Sequence, residues 1–386
     1  MKKYLIFLIF IYCSCSGQPN EVGDWKTERG SNQRTGYVNV NVTKKEPEIK
    51  WKKKIAFGST PVVADGIVYF SDKDSYFYAL DIEKNREAWK IKTESPIPQA
   101  VIDDNGIIYL AERKKIFALD TKTGKQLWEK QYIGSKGALK VQDNLLYIRS
   151  YFKSEKGNDH LIALDTKTQK EVWSFSDSSY LGVPTINDEV LYIYSFSQSK
   201  FLTLNLQTGK ELVEYSVDIE LSGGKVLLYD NYIISVLNEK DGSELWRYKL
   251  SDNRTIIAIS NGLIYIGNRN SGKQTVEIYA LDMHTGEVKW TKKYESATLY
   301  TLAVVTNDVI VFGVNSLKKD LSGSAILYAL NPQNGDEIWR KKLDDALIES
   351  EIIILNNVIM LKAGQMKGLC SSTQDEYDGD YLYLLK

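Results

Sequence analysis

Short apolar runs separated by polar turns fill the chain from about residue 50 to its end. The first stretch shows the unit: Pro61-Val62-Val63-Ala64 leads into Asp65-Gly66, followed by Ile67-Val68-Tyr69-Phe70, Tyr76 to Asp81, and Trp89-Lys90-Ile91. Asp-Gly or Asn-Gly between two such runs marks a tight hairpin, because the turn needs positive φ values that these residues tolerate. Asn105-Gly106 and Asn261-Gly262 repeat the signal. The pattern predicts four short strands per unit, with no room for a long helix.

These units recur. Aligning the tryptophans with the residues about ten positions before them reveals Ala-Leu-Asp-x-x-Thr-Gly-x-x-x-Trp in seven copies. Ala118-Leu119-Asp120 with Thr123-Gly124 and Trp128, and Ala280-Leu281-Asp282 with Thr285-Gly286 and Trp290, are the fullest. Copies ending at Trp89, Trp173, Trp246 and Trp339 follow closely, and Thr203-Leu204-Asn205 with Thr208-Gly209 puts Val213 in the tryptophan's place. Counted from Trp51, the intervals are 38, 39, 45, 40, 33, 44 and 49 residues, a mean of about 41. That length holds four strands of about 5–6 residues with their connections. Asp or Asn in the corner accepts hydrogen bonds from turn amides, Gly supplies positive φ where the chain reverses, and Trp covers a large apolar area.

From about residue 50 onward these motifs resemble the pyrroloquinoline-quinone-like repeat β-propellers, in which the tryptophan docks between adjacent blades. Trp25 to Gly36, with Arg29-Gly30 and Gln33-Arg34-Thr35-Gly36, is similar to that family's leading segment. Ring closure sets the blade count. After Trp339 come only three strand-like runs, Leu347 to Leu355, Val358 to Lys362 and Tyr381 to Leu385, while Trp51 sits on a strand with no blade before it. Joining Glu48 to Lys54 to those three runs completes an all-β, eight-bladed propeller of four-stranded antiparallel blades over residues 48–386 and leaves no open sheet edge. Seven blades is the alternative, because the Val213 copy is weak.

The N-terminus reads differently. Lys2 and Lys3 precede an apolar run from Tyr4 to Tyr12, followed by Cys13, Ser14, Cys15, Ser16 and Gly17. A membrane-spanning helix needs about 20 apolar residues, so this run is read as a secretory leader over residues 1–14. Ser14-Cys15 resembles a bacterial lipobox, which implies a lipid on Cys15 and a membrane anchor; a plainly cleaved signal peptide is the alternative. Tyr12 departs from the leucine preferred there. Residues 15–47 are polar and read as a tether and lead-in segment. Loss of Cys13 with the leader and acylation of Cys15 would leave Cys370 as the single thiol and exclude an internal disulfide.

Composition narrows the chemistry. With 49 Lys and Arg against 50 Asp and Glu, no basic excess favours nucleic acid. Only 7 Pro against 25 Tyr and 8 Trp is a β-rich composition. The repeated Asp81, Asp120, Asp165 and Asp282 are corner residues, not a carboxylate ring. His160 and His284 lie in unrelated blades, which argues against a zinc site or a His-based triad. Ser222-Gly223-Gly224 is an isolated hairpin signal and not a phosphate loop. Some eight-bladed relatives are quinoprotein dehydrogenases that hold a quinone and calcium over the axis. The adjacent-cysteine feature of some of them and a haem attachment motif are both missing from the sequence. The expectation is a non-catalytic scaffold with no cofactor or metal, similar to the propeller lipoprotein subunit of the outer-membrane β-barrel assembly machinery. Its partners would be envelope proteins, and it would sit on the outer membrane facing the periplasm. A quinoprotein dehydrogenase or a ligand- or glycan-sensing propeller are the alternatives.

Uneven repeat lengths suggest where partners bind. The surplus lies between second and third strands, at Ser150 to Asp159, Asn268 to Thr275, Asn315 to Ser324 and Ala363 to Asp380. Such connections emerge on one face of the disc. Their Lys318, Lys319, Asp375, Glu376 and Asp378 suit a polar protein interface, with drift of solvent loops as the alternative.

Overall fold

The computed structural model describes residues 26–27 and 38–386, apart from 56–57, 113–114, 132–137, 152–158, 178–180, 188, 196–199, 216–217, 223–224, 231–232, 239–242, 251–254, 271–274, 296–297, 300–303, 307, 318–322, 344–345 and 367–376. Eight antiparallel sheets follow one another along the chain, each a blade. Blades one to seven cover residues 62–92, 100–131, 139–177, 185–215, 218–249, 255–294 and 298–343, and blade eight covers 346–385. The weak Val213 copy is a full four-stranded blade, so the count is eight.

Each blade runs outward from the axis in chain order. The inner strands Val62–Ala64 and Ala100–Ile102 are buried throughout, because neighbouring blades enclose them. Outer strands such as Arg86–Lys92 and Gln126–Gln131 alternate between exposed and half-buried positions. Asp65-Gly66 and Asn261-Gly262 form the expected two-residue hairpins, with φ of 51°, 73°, 50° and 73°. Asn105-Gly106 differs. Only Gly106 has positive φ, and the turn is widened by the Asp103 carboxylate, which accepts the amides of Asn105 and Ile107 at 2.9 Å each.

Strand Ile49–Lys54 pairs with Tyr377–Leu385 as the fourth strand of blade eight, with Trp51 opposite Leu384. Glu48 and Lys386 exchange both backbone hydrogen bonds, at 3.0 and 2.9 Å. The segment before this strand is more than a tether. Val38, Val40 and Val42 are buried with blades seven and eight, Val38 N donates to Val305 O, and Asn357 N donates to Asn41 O. Polar residues surround these valines in the sequence, and the alternation at 38, 40 and 42 is that of a strand-like segment with one face inward. Thr27 is also buried, against Lys140 on the inner strand of blade three.

Candidate functional site

The seam between blades is built from one cross-strand row. In blade one, Tyr69 on the second strand, Ala79 on the third and Trp89 on the fourth stand side by side. Tyr109-Ala118-Trp128, Tyr147-Ala163-Trp173 and Tyr265-Ala280-Trp290 repeat the row. The central alanines are fully buried and small enough to let the flanking rings meet over them, at 5.7, 5.9, 5.9 and 6.2 Å. One extra residue precedes each Trp: Ala79 faces Trp89 while Leu80 faces Glu87, so Ala88 is bulged out. A bulge resets the alternation and aims the indole at the next blade. It also leaves Leu127, Val172 and Leu245 exposed to water.

Five of the indole N–H groups reach the carbonyl just after the corner Asp or Asn of the next blade. Trp89 donates to Thr121 O at 2.8 Å, Trp173 to Leu206 O at 3.0 Å, Trp246 to Met283 O at 3.0 Å, Trp290 to Pro332 O at 2.9 Å and Trp51 to Ile82 O at 3.3 Å. Tyr69, Tyr147 and Tyr265 add their hydroxyls to three of the same carbonyls. Burial holds the Tyr147 and Tyr265 hydroxyls well above the ordinary phenol range, so they remain donors. The corner behaves as its residues dictate. Asp120 accepts the Thr123 amide and hydroxyl, and Asp282 accepts the amides of His284 and Thr285, which lowers its carboxyl to about 2. The corner glycine has a second reason beyond φ: a Cβ at Gly124 would lie 2.6 Å from the Trp89 ring. The expected structural tryptophans Trp51, Trp89, Trp128, Trp173, Trp246, Trp290 and Trp339 thus all stand on outer strands, at or beside a seam. The tyrosine half of the row was missed, although Val-Tyr, Ile-Tyr or Leu-Tyr at Tyr69, Tyr109, Tyr147 and Tyr265 was visible in the sequence.

On the face where second strands lead to third strands, buried polar side chains clasp the backbone entering the next blade. Ser71 Oγ donates to Ile97 O at 2.7 Å, and Asn315 pairs with both the amide and the carbonyl of Ile348, at 3.0 and 2.9 Å. Asp159 accepts Leu181 N and is held by the Arg149 guanidinium at 2.9 and 3.0 Å. The predicted insertions here are partly strand. Asn268 to Asn270 pair with Thr275 to Glu277, Asn315 to Leu317 with Gly323 to Ala325, and Gly364 to Met366 with Tyr377 to Asp380. The surplus residues satisfy their backbone groups by prolonging the ladder, which makes hairpin arms on blades six, seven and eight. Lys318, Lys319, Asp375 and Glu376 lie outside the described residues, as do Cys15, Cys370 and the side chain of Asp378. Among the described residues, no three His, Cys, Asp or Glu side chains gather as metal ligands.

Comparison with known proteins follows this architecture. The quinohemoprotein alcohol dehydrogenase of Comamonas testosteroni superposes over 94% of this chain and 80% of its own, with a TM-score of 0.66 at 13% identity. A europium-containing methanol dehydrogenase does so over 95% and 98%, with a TM-score of 0.68 at 13% identity. BamB from Moraxella catarrhalis matches over 88% of this chain and all of its own, with a TM-score of 0.63 at 15% identity. These likenesses establish the propeller fold. In sequence, the outer membrane protein assembly factor BamB of Nitrosomonas eutropha is 32% identical over 89 residues, 22% of this chain and 22% of that protein. The family described as outer membrane protein assembly factor BamB matches residues 91–226 and 220–360, which together span most of the ring. The chain therefore belongs to the outer membrane protein assembly factor BamB family of pyrroloquinoline-quinone-like repeat propellers.

Proposed function

We propose that this protein is a non-catalytic scaffold of the bacterial cell envelope that recruits partner proteins for outer-membrane protein assembly. The family match over residues 91–360 is the observation that carries this reading. The arms of blades six to eight, all on one face, supply a surface for it, and the loops bearing Lys318, Lys319, Asp375, Glu376 and Asp378 are the proposed partner contacts. The leader and Cys15 would place the scaffold on the membrane through a lipid, at the outer membrane's periplasmic side.

Two solved structures that share the fold are a quinohemoprotein alcohol dehydrogenase and a europium-containing methanol dehydrogenase, and a quinoprotein dehydrogenase is the second reading. The family match over residues 91–360 favours the scaffold over that second reading. Shortening the Asn315 to Ser324 and Ala363 to Asp380 loops should abolish pull-down of an envelope partner while leaving Tm unchanged. Retained pull-down would defeat the proposed face. A stoichiometric complex with pyrroloquinoline quinone and calcium, with dye-linked alcohol oxidation, would defeat the non-catalytic reading.

A further inference from the structure

The outer strands divide the rim of the disc into two halves of unlike charge. Blades six, seven, eight and one are consecutive, linked through Trp290 to Pro332, Asn315 to Ile348 and Trp51 to Ile82. Their outer strands read Val-Lys-Trp-Thr-Lys-Lys-Tyr, Glu-Ile-Trp-Arg-Lys-Lys-Leu, Ile-Lys-Trp-Lys-Lys-Lys and Arg-Glu-Ala-Trp-Lys-Ile-Lys. They carry thirteen Lys and Arg against two Glu. The outer strands of blades two to five carry three Lys and Arg against six Asp and Glu. Some of the basic arc is answered locally, by Glu46, Glu48, Asp282, Glu287, Glu295 and Asp336. Those six carboxylates and the two in the strands stand against thirteen cations on the four strands.

Lysine on an exposed edge strand blocks unwanted pairing, but that need is the same all round the ring. The acidic half manages with only Lys130, Arg247 and Lys249, so edge protection alone does not explain the asymmetry. Aromatic rings underlie the same arc: Lys52 and Lys54 stand over Tyr381 at 5.1 and 5.9 Å, Lys92 over Tyr76 at 4.2 Å, and Arg340 over Tyr328 at 5.6 Å.

We infer that this arc is a docking surface for a bilayer bearing anionic phospholipid headgroups, which holds the disc edge-on to the membrane. Three observations select a membrane over a protein. The cations are spread along a convex rim. Eleven of the thirteen are lysines, a residue type depleted from protein interfaces, whereas arginine is the one enriched there. Tyrosine beneath lysine stems suits the headgroup layer, where one end of a side chain is apolar and the other wet. The inference rests on the envelope reading only for the presence of a bilayer nearby.

The test uses residues 15–386 carrying Cys15→Ser, so that neither the apolar leader nor a lipid contributes, in co-sedimentation with vesicles of phosphatidylglycerol and phosphatidylcholine in equal parts. Binding should rise with phosphatidylglycerol content and fall with added salt. Replacing Lys52, Lys54, Lys92 and Lys342 together by Gln should lower the partition coefficient by about tenfold or more. Replacing Lys130, Arg247 and Lys249 by Gln should change it by less than about twofold. Equal binding to pure phosphatidylcholine, or an unchanged partition coefficient for the four-lysine variant with its Tm intact, would overturn the inference. So would absent vesicle binding accompanied by an acidic protein that co-purifies with the parent chain and not with that variant. Partner pull-down through the arms of blades six to eight is a separate readout, so the scaffold reading can survive the loss of this one.

Discussion

The seam between blades one and two and the seam between blades seven and eight perform the same task with different parts. At the first, Trp89 donates to Thr121 O, 32 residues away, and Tyr69 shares that carbonyl. At the second, Trp339 donates to Thr43 O at 2.9 Å across a separation of 296 residues. The acceptor there belongs to the lead-in segment and not to a repeat. Val311 stands where the tyrosine would be, so no phenol shares the carbonyl. What these two seams share is an indole donor and a backbone acceptor. Tyrosine and corner glycine are additions that a repeat supplies and that a borrowed segment does without.

The largest expected effect comes from breaking the borrowed side. Removing Tyr381–Lys386 takes the buried Leu382, Leu384 and Leu385 out of blade eight and frees two strand edges. The cost should exceed about 4 kcal/mol and bring aggregation, checked by thermal melting and light scattering. An unchanged melt would mean that the ring closes elsewhere.

Glycine substitutions sharpen the contrast between a seam and a hairpin. Gly124→Ala meets both a positive φ of 68° and the Trp89 ring, and should cost about 3 kcal/mol. Gly66→Ala meets positive φ with nothing within 4 Å, and should cost about 1 kcal/mol. Equal losses in denaturant unfolding would show that backbone strain alone matters at Gly124.

Trp339→Phe should cost about 2 kcal/mol and Trp89→Phe about 1 kcal/mol, because Tyr69 still serves the Thr121 carbonyl in the second case. The reverse order would remove the tyrosine from the account of the seam.

The smallest effect is the pH dependence of one corner. The Asp282 carboxyl is lowered to about 2 by the His284 and Thr285 amides, from its ordinary value of 3.8. Its contribution should be complete above about pH 4 and should fade as pH falls toward 2. Asp282→Asn should flatten the Tm profile across that window and leave Tm near neutrality little changed.

Much of this fold is written in the sequence because each repeat states it again. The Ala-Leu-Asp corner, the tryptophan and the Asp-Gly hairpins are local devices whose geometry follows from one or two residues. Asp143-Asn144 escaped that reading: both residues take positive φ, at 51° and 63°, without a glycine to announce them. The arms of blades six to eight were legible as surplus length but not as strand, because polar residues such as Asn268 and Ser316 pair through their backbones. The docking of Val38, Val40 and Val42 was hidden for a different reason: three valines among polar residues carry little signal until the surface that covers them is known. The contrast between the two halves of the rim needed the topology, since strand Ile49–Lys54 joins the basic arc only after the ring has closed.

The mutual hydrogen bonds of Glu48 and Lys386 bring the end of the ring back to the start of its first strand. The contact that completes the molecule thus joins residues more than 300 positions apart, and its acceptor segment must wait unsatisfied until the last strand arrives. Folding speed falls as contacts become less local, which makes this closure a candidate slow step, late in folding. A permutant that links Lys386 to Val38 through a flexible linker, so that the lead-in segment is kept, and opens the chain at the Asp65-Gly66 hairpin would turn the longest-range pairing into a short one. It should fold faster to the same ring.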